Sequence, residues 1–155
     1  MAKMGAAKKS RVEDNIRAIK FNEFLIEKGI TVFSTESMED EANTVFFRSR
    51  IEAAGQLLPV VVIIDASVFT IIRVQLAGDI AEEKRERLTK YLNGLNLYYK
   101  TFKYYMSTDG RICLDMCIPA RDEAFDAELI YGMLSTLVQH LQEHTAELME
   151  QIWSQ

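Results

Sequence analysis

Two histidines, one helical turn apart near the end of the chain, have the spacing best suited to metal binding. His140 and His144 lie in the segment HLQEH, which has the His-x-x-Glu-His order of inverted zinc peptidases. On a helix both side chains would share one face and could share an ion. A metal-dependent hydrolase built on His140, Glu143 and His144 is therefore one hypothesis for this chain.

That site lacks an obvious third ligand. A catalytic zinc ion takes three protein ligands, and Glu147, on the same helix face, is about 10.5 Å from His140 along a straight helix. Both histidines also border an apolar stripe. Packed or half-exposed histidines are the favoured interpretation, and the hydrolase remains the alternative.

Cys113, Asp115 and Cys117 share one face of a predicted strand. The two cysteines would stand about 13 Å apart, too far for a disulfide. Buried thiols in a reducing cytoplasm are expected. Asp115 would pair opposite Tyr104, where a tyrosine–aspartate hydrogen bond is expected and a polar site on the sheet is the alternative.

The segment YLNGLN contains Asn93 and Asn96 on either side of Gly94. Asparagine tolerates left-handed backbone conformations and bonds to nearby backbone groups. We interpret both asparagines as a helix C-cap and as an anchor onto the following strand. Replacing Asn93 with alanine would then lower stability.

The pattern of apolar residues predicts the order α-β-β-β(β)-α-β-β-α, an α+β fold with helices packed on an antiparallel sheet. The central strand, LPVVVII, is apolar throughout and is expected to be covered on both faces. The predicted elements are a helix from Ser10 with the capping box SRVE, strands at 30–34, 44–52, 58–64 and 68–76, a helix N-capped by Asp79, and a last helix from near Asp122 to Trp153.

Asp109 and Gly110 separate two β-rich segments, and Asp-Gly is a strong hairpin signal. A two-residue turn here would pair Thr108 with Arg111, and Pro119 would close the second strand. On the outer strand faces, Arg48, Arg50 and Arg73 could form a small basic patch, although salt bridges to the acidic helices are the favoured use for them.

The chain has 155 residues and a net charge of −5. Residues 1–9 are predicted to be a mobile leader, and residues 10–155 a single domain. An acidic body argues against nucleic acid as a partner, and the apolar runs are too short to cross a membrane. We expect a cytoplasmic protein.

The succession LTKYLNGLN, a short aromatic strand, DGRICLDMCIP and a long amphipathic helix resembles the YbjN-like family. That family is similar in fold to type III secretion chaperones, and the resemblance covers most of residues 11–140. It implies a role in bacterial sensory transduction or stress response. The chaperones are dimers that hold partner proteins on apolar patches, and neither resemblance transfers a catalytic residue.

The sequence therefore predicts a non-enzymatic, protein-binding homodimer, chaperone-like or regulatory, with no cofactor and no catalytic residue. The expected contact elements are the exposed sheet face, the hairpin at 101–118 and the last helix. A small-ligand sensor with a pocket between sheet and helices is a further alternative.

Overall fold

The structure is a computed structural model that describes residues 15–154. Within these residues, a six-stranded antiparallel sheet has the strand order β1-β2-β3-β4-β6-β5. The predicted α+β class and the antiparallel sheet are confirmed. The elements are α1 (Ile16–Glu27), β1 (Ser34–Ser37), β2 (Val45–Ala53), β3 (Gln56–Ile64), β4 (Phe69–Ala77), α2 (Glu82–Tyr98), β5 (Lys103–Met106), β6 (Ile112–Pro119), a 3-10 turn (Asp122–Ala124) and α3 (Ala127–Trp153).

The hydrophobic core lies on one face of the sheet, between the sheet and the helices. Buried and less buried residues alternate along β2, β3 and β4, as a strand covered on one side requires. Strand β3 is no exception: Val60 and Val62 are buried, whereas Val61 and Ile63 are only partly buried. The prediction that β3 is covered on both faces is wrong, because the described helices do not cover the second face.

Two turns set the register of the sheet. At Ala54-Gly55 both residues have positive φ, 50° and 73°, as in a two-residue type I′ turn, and Ala53 pairs with Gln56. The second hairpin differs from its prediction. Ser107, not Thr108, bonds to Arg111.

The second hairpin has a three-residue loop that ends at Gly110, with φ 80°, the usual position for glycine in such a loop. Ser107 Oγ accepts a bond from the Arg111 N–H at 3.1 Å, which stabilises this longer turn. The extra residue moves the pairing by one position. Asp115 consequently lies opposite Lys103, not opposite Tyr104.

Helix α1 begins at Ile16 and is capped by Asn15, whose Oδ1 accepts a bond from Ala18 N at 3.0 Å. The Asn15 amide also donates to the carbonyls of Asn43 and Ile64, both at 2.9 Å. One asparagine thus joins the start of α1 to the end of β3. The predicted leader, 1–9, and the predicted capping box, Ser10 to Glu13, lie outside the described residues.

The prediction of a strand at 30–34 is wrong. Strand β1 begins only at Ser34 and ends at Ser37. Ile30 donates its N–H to Leu25 at the end of α1, at 2.9 Å, and the Phe33 ring contacts Phe21 with centroids 6.1 Å apart. Packing against α1 therefore takes precedence over the β propensity of this segment.

Helix α2 begins three residues after Asp79, which was the predicted N-cap. Asp79 has φ 54°, and Ala81 occupies the cap position without a side-chain bond. The segment before α2 is bonded to the second hairpin, because buried Ile80 donates its N–H to Gly110 at 3.0 Å. The Ile80 carbonyl also accepts from Arg85 Nε at 3.0 Å.

Asn93 and Asn96 lie inside α2, which ends at Tyr98, so the prediction that they form a C-cap is wrong. The anchor onto the following strand is confirmed for Asn96. Its Oδ1 accepts from Tyr104 N at 2.7 Å, and its Nδ2 donates to Tyr104 O at 2.8 Å. Asn93 is exposed.

Helix α3 is continuous through Gly132, and its 27 residues give it a length of about 40 Å. It begins later than predicted, because the 3-10 turn at Asp122–Ala124 precedes it and Asp126 is its N-cap. Its last carbonyls accept from Lys84 and Arg87 of α2. None of the helices within residues 15–154 combines the length and the apolar character required to cross a membrane.

We expect Asn96→Ala to lower the free energy of unfolding by about 1–2 kcal/mol, because two hydrogen bonds to the Tyr104 backbone are lost. Asn93→Ala is the matched control in the same helix and should change stability by less than about 0.5 kcal/mol. Urea unfolding followed by circular dichroism measures both. Equal losses in the two variants would contradict the anchoring role of Asn96.

Candidate functional site: the open face of the sheet

The face of the sheet opposite the helices, here called the open face, carries a strip of apolar side chains. The strip follows β3 and includes Leu57, which is 62% exposed, Val61 and Ile63. Phe46 of β2 and Ile71 of β4 lie directly across from Ile63 on its two sides. Such a contiguous apolar surface is typical of a contact site.

Arginines flank this apolar strip on both sides. Arg48 and Arg50 project from β2, and Arg73 projects from β4. Val61 pairs with both Arg48 and Arg73. Together with Arg111 of the second hairpin, these arginines line an open cleft of about 1330 Å³ that crosses the sheet from Phe33 to the hairpin.

The predicted basic patch is therefore present, but within residues 15–154 its arginines form no ion pair with the acidic helices. The described helices pack on the other face of the sheet, so Arg48, Arg73 and Arg111 pair with carboxylates of neighbouring strands and of the hairpin. Arg48 Nε is 3.1 Å from Glu36 of β1, and Arg111 bonds to Asp109 within its own turn.

The open face carries a pair of side chains joined by two hydrogen bonds, Arg73 and Asp115. Two parallel bonds join them, Nε to Oδ1 at 2.9 Å and an Nη to Oδ2 at 2.8 Å, the strongest geometry available to this pair of groups. Asp115 is 6% exposed, and the Tyr105 hydroxyl also donates to it at 3.2 Å. This network neutralises a buried carboxylate.

The same network shifts the pKa values of its members. The bond to Asp115 raises the pKa of Arg73, and burial next to Asp115 raises the pKa of Tyr105. A tyrosine–aspartate bond was predicted, but with Tyr104. The one-residue shift of the hairpin brings Tyr105 to the open face and turns Tyr104 toward the helices.

The two cysteines share the open face with Asp115, as predicted, and both are free thiols. Cys113 is buried and Cys117 is exposed, so the expectation of two buried thiols is wrong for Cys117. Burial raises the pKa of each thiol. Both therefore remain protonated at neutral pH, a poor state for a nucleophile.

The predicted metal-binding histidines lie on the opposite side of the sheet, in an aromatic pocket between α2, β5 and α3. His140 is 7% exposed. Its Nε2 is 2.5 Å from the Tyr104 hydroxyl, and its ring is tilted against Phe102 with centroids 4.1 Å apart. The His144 ring is 4.8 Å from that of His140.

Burial, and the proximity of His144, lower the pKa of His140 to about 4. A neutral imidazole can accept a hydrogen bond from the Tyr104 hydroxyl at Nε2, whereas the protonated ring cannot. Among residues 15–154 no group of three or more His, Cys, Asp or Glu side chains is placed to hold a metal ion. The chemistry of the pocket fits a packed, uncharged histidine.

Sequence reasoning identified Arg48, Arg50 and Arg73 but missed Arg111 and the exposure of the β3 strip. The all-apolar letters of β3 gave no signal for an uncovered face.

No protein-family model matches the chain, and no curated protein or solved structure shows significant similarity to it.

Loss of Arg73 should lower the stability of the fold more than loss of Asp115. We expect Arg73→Met to destabilise the fold by about 2 kcal/mol, because it leaves a buried carboxylate with one hydrogen bond, from Tyr105. Asp115→Asn should cost about 1 kcal/mol, since Arg73 is 40% exposed and water can solvate it. Urea unfolding at pH 7 compares the two, and a larger loss for Asp115→Asn would contradict this account.

Stability should fall in acid because of His140. Its native pKa of about 4 lies below its unfolded value, so the unfolded state binds the proton first, and the stability present above pH 6.5 is lost as the pH falls toward 4. Between pH 7 and pH 5 this contribution is about 2 kcal/mol. Urea unfolding at both pH values measures the stability that each variant loses between pH 7 and pH 5. This loss should be smaller for His140→Gln than for His144→Gln, and equal losses would refute the assignment of the acid sensitivity to His140.

Proposed function

We propose that the chain is a non-enzymatic protein-binding module whose contact surface is the open face. One observation carries this proposal: the six-stranded sheet has the described helices on one face only, and its other face combines a continuous apolar strip with a cleft of about 1330 Å³. Water-exposed apolar area of this kind favours association with another protein.

The chemistry of the open face supports binding more than catalysis. Its buried carboxylate is neutralised by two bonds from Arg73, and the pKa values of its two thiols are raised. An ion-paired carboxylate and thiols whose pKa values are raised make a weak base and weak nucleophiles. A chaperone-like or regulatory role in a bacterial cytoplasm, as the YbjN-like resemblance implies, is the form of binding we propose.

We further propose that the module is a homodimer. Leu97 and Tyr98, at the end of α2, are 89% and 80% exposed. Helix α2 packs against β5, an edge strand of the sheet. An edge strand with apolar side chains beside it is suited to pairing with a second copy, and this arrangement leaves the open face available for the partner protein.

Photo-crosslinking from defined positions in cells tests the proposal. A benzophenone amino acid at position 57, on the open face, should capture one or a few discrete proteins. The same residue at position 98 should capture a second copy of the chain, and at position 90, on the outer face of α2, it should capture neither. Equal capture at positions 57 and 90, or none at position 57, would contradict a binding role for the open face.

A further inference from the structure

We propose that the open face binds an extended, carboxylate-rich segment of its partner, with Arg50 as the first point of contact. This proposal rests on the proposed function, because it specifies the chemistry of the partner for the same surface. Charge, spacing and the apolar strip each support it.

Among residues 15–154, the charge of Arg50 has no acidic partner in the cleft, although the chain as a whole has a net charge of −5. Of the residues that the structure describes, four arginines and Asp109 line the cleft. Arg48, Arg73 and Arg111 pair with Glu36, Asp115 and Asp109. A carboxylate can therefore pair with Arg50 in the cleft, whereas the net negative charge of the chain repels it elsewhere. An acidic segment would be directed to this face.

Arg50 is the least satisfied of the four arginines. It is exposed, and its guanidinium makes no hydrogen bond or ion pair with any of residues 15–154. Arg48 pairs with Glu36 and also lies over the Phe46 ring, 4.7 Å from its centroid. Both side chains of the Arg48–Glu36 pair are about half exposed, 48% and 55%. Such exposed pairs contribute little stability and exchange readily for another carboxylate.

The spacing of the arginines matches an extended peptide. Arg48 and Arg50 are alternate residues of β2, so their side chains are about 7 Å apart on one face of the strand. Alternate side chains of an extended ligand repeat at the same interval. Two carboxylates at such positions can each bind one guanidinium, and a planar guanidinium fork suits a carboxylate.

The neighbouring apolar strip adds a second requirement for the ligand. Val61 lies between Arg48 and Arg73 in the same row of the sheet. The strip excludes water beside the ion pairs, which strengthens them. The segment that fits best therefore carries apolar side chains close to its carboxylates.

Selection from a displayed library of random peptides, with the full chain as the target, tests this inference. We expect enriched peptides to contain aspartate or glutamate at alternate positions next to apolar residues. In fluorescence anisotropy a synthetic copy of the most enriched peptide should bind more weakly at higher salt. Arg50→Glu should raise its Kd by about tenfold or more.

Lys90→Glu is the matched control, since it changes the net charge equally but lies on α2, where the side chain is 77% exposed. It should leave the Kd unchanged. The contrary result is that the enriched peptides contain no acidic residues, and that Ile63→Asp but not Arg50→Glu abolishes their binding. That result would refute the inference that the ligand is acidic, and it would leave the proposed function standing. Failure to enrich any peptide would overturn both.

A labelled single-stranded oligonucleotide and a glutamine-for-glutamate copy of the selected peptide complete the experiment. Neither should compete with the acidic peptide. Tighter binding of the oligonucleotide, lost in Arg50→Glu, would identify nucleic acid as the ligand class and refute the proposal. Equal affinity for the glutamine copy would also refute it.

Discussion

The one-sided covering of the sheet is the constraint on which the other features of this molecule depend. A six-stranded sheet must bury at least one face to be stable, and here the helices supply that cover on a single side. The second face must then remain compatible with water while β3 presents Val61 and Ile63 on it. Arginines on β2 and β4, two of them bonded to neighbouring carboxylates, provide that compatibility.

A few polar side chains fix the helices on the covered face. Asn15 joins α1 to the end of β3, Asn96 joins α2 to β5, and Lys84 with Arg87 joins α2 to the end of α3. Each of these side chains donates a hydrogen bond to a backbone carbonyl of the element that it joins. His140 fills the space between α2, β5 and α3 as an uncharged ring, so the core contains no unpaired charge there.

Periodicity in the sequence was sufficient to predict β2 and β4, the class of fold and the unlinked cysteines. It also predicted that β3 is a strand, but not that one face of β3 is open, because an apolar residue on an open face looks the same in a sequence as one in the core. Long-range contacts explain the other errors. Phe33 packs on α1 and displaces β1, and Ile80 bonds to the second hairpin and delays the start of α2.

The order of the strands also shapes how the chain reaches this structure. Strands β1 to β4 are neighbours both in sequence and in the sheet, so each pairing closes a short loop at a small cost in entropy. Pairing of β4 with β6 must instead enclose α2 and β5, and α3 must return to contact β2. Contacts between distant parts of a chain slow folding. The meander of strands β1 to β4 can therefore form early. We expect the docking of β6 and α3 to be the slow, final step of folding.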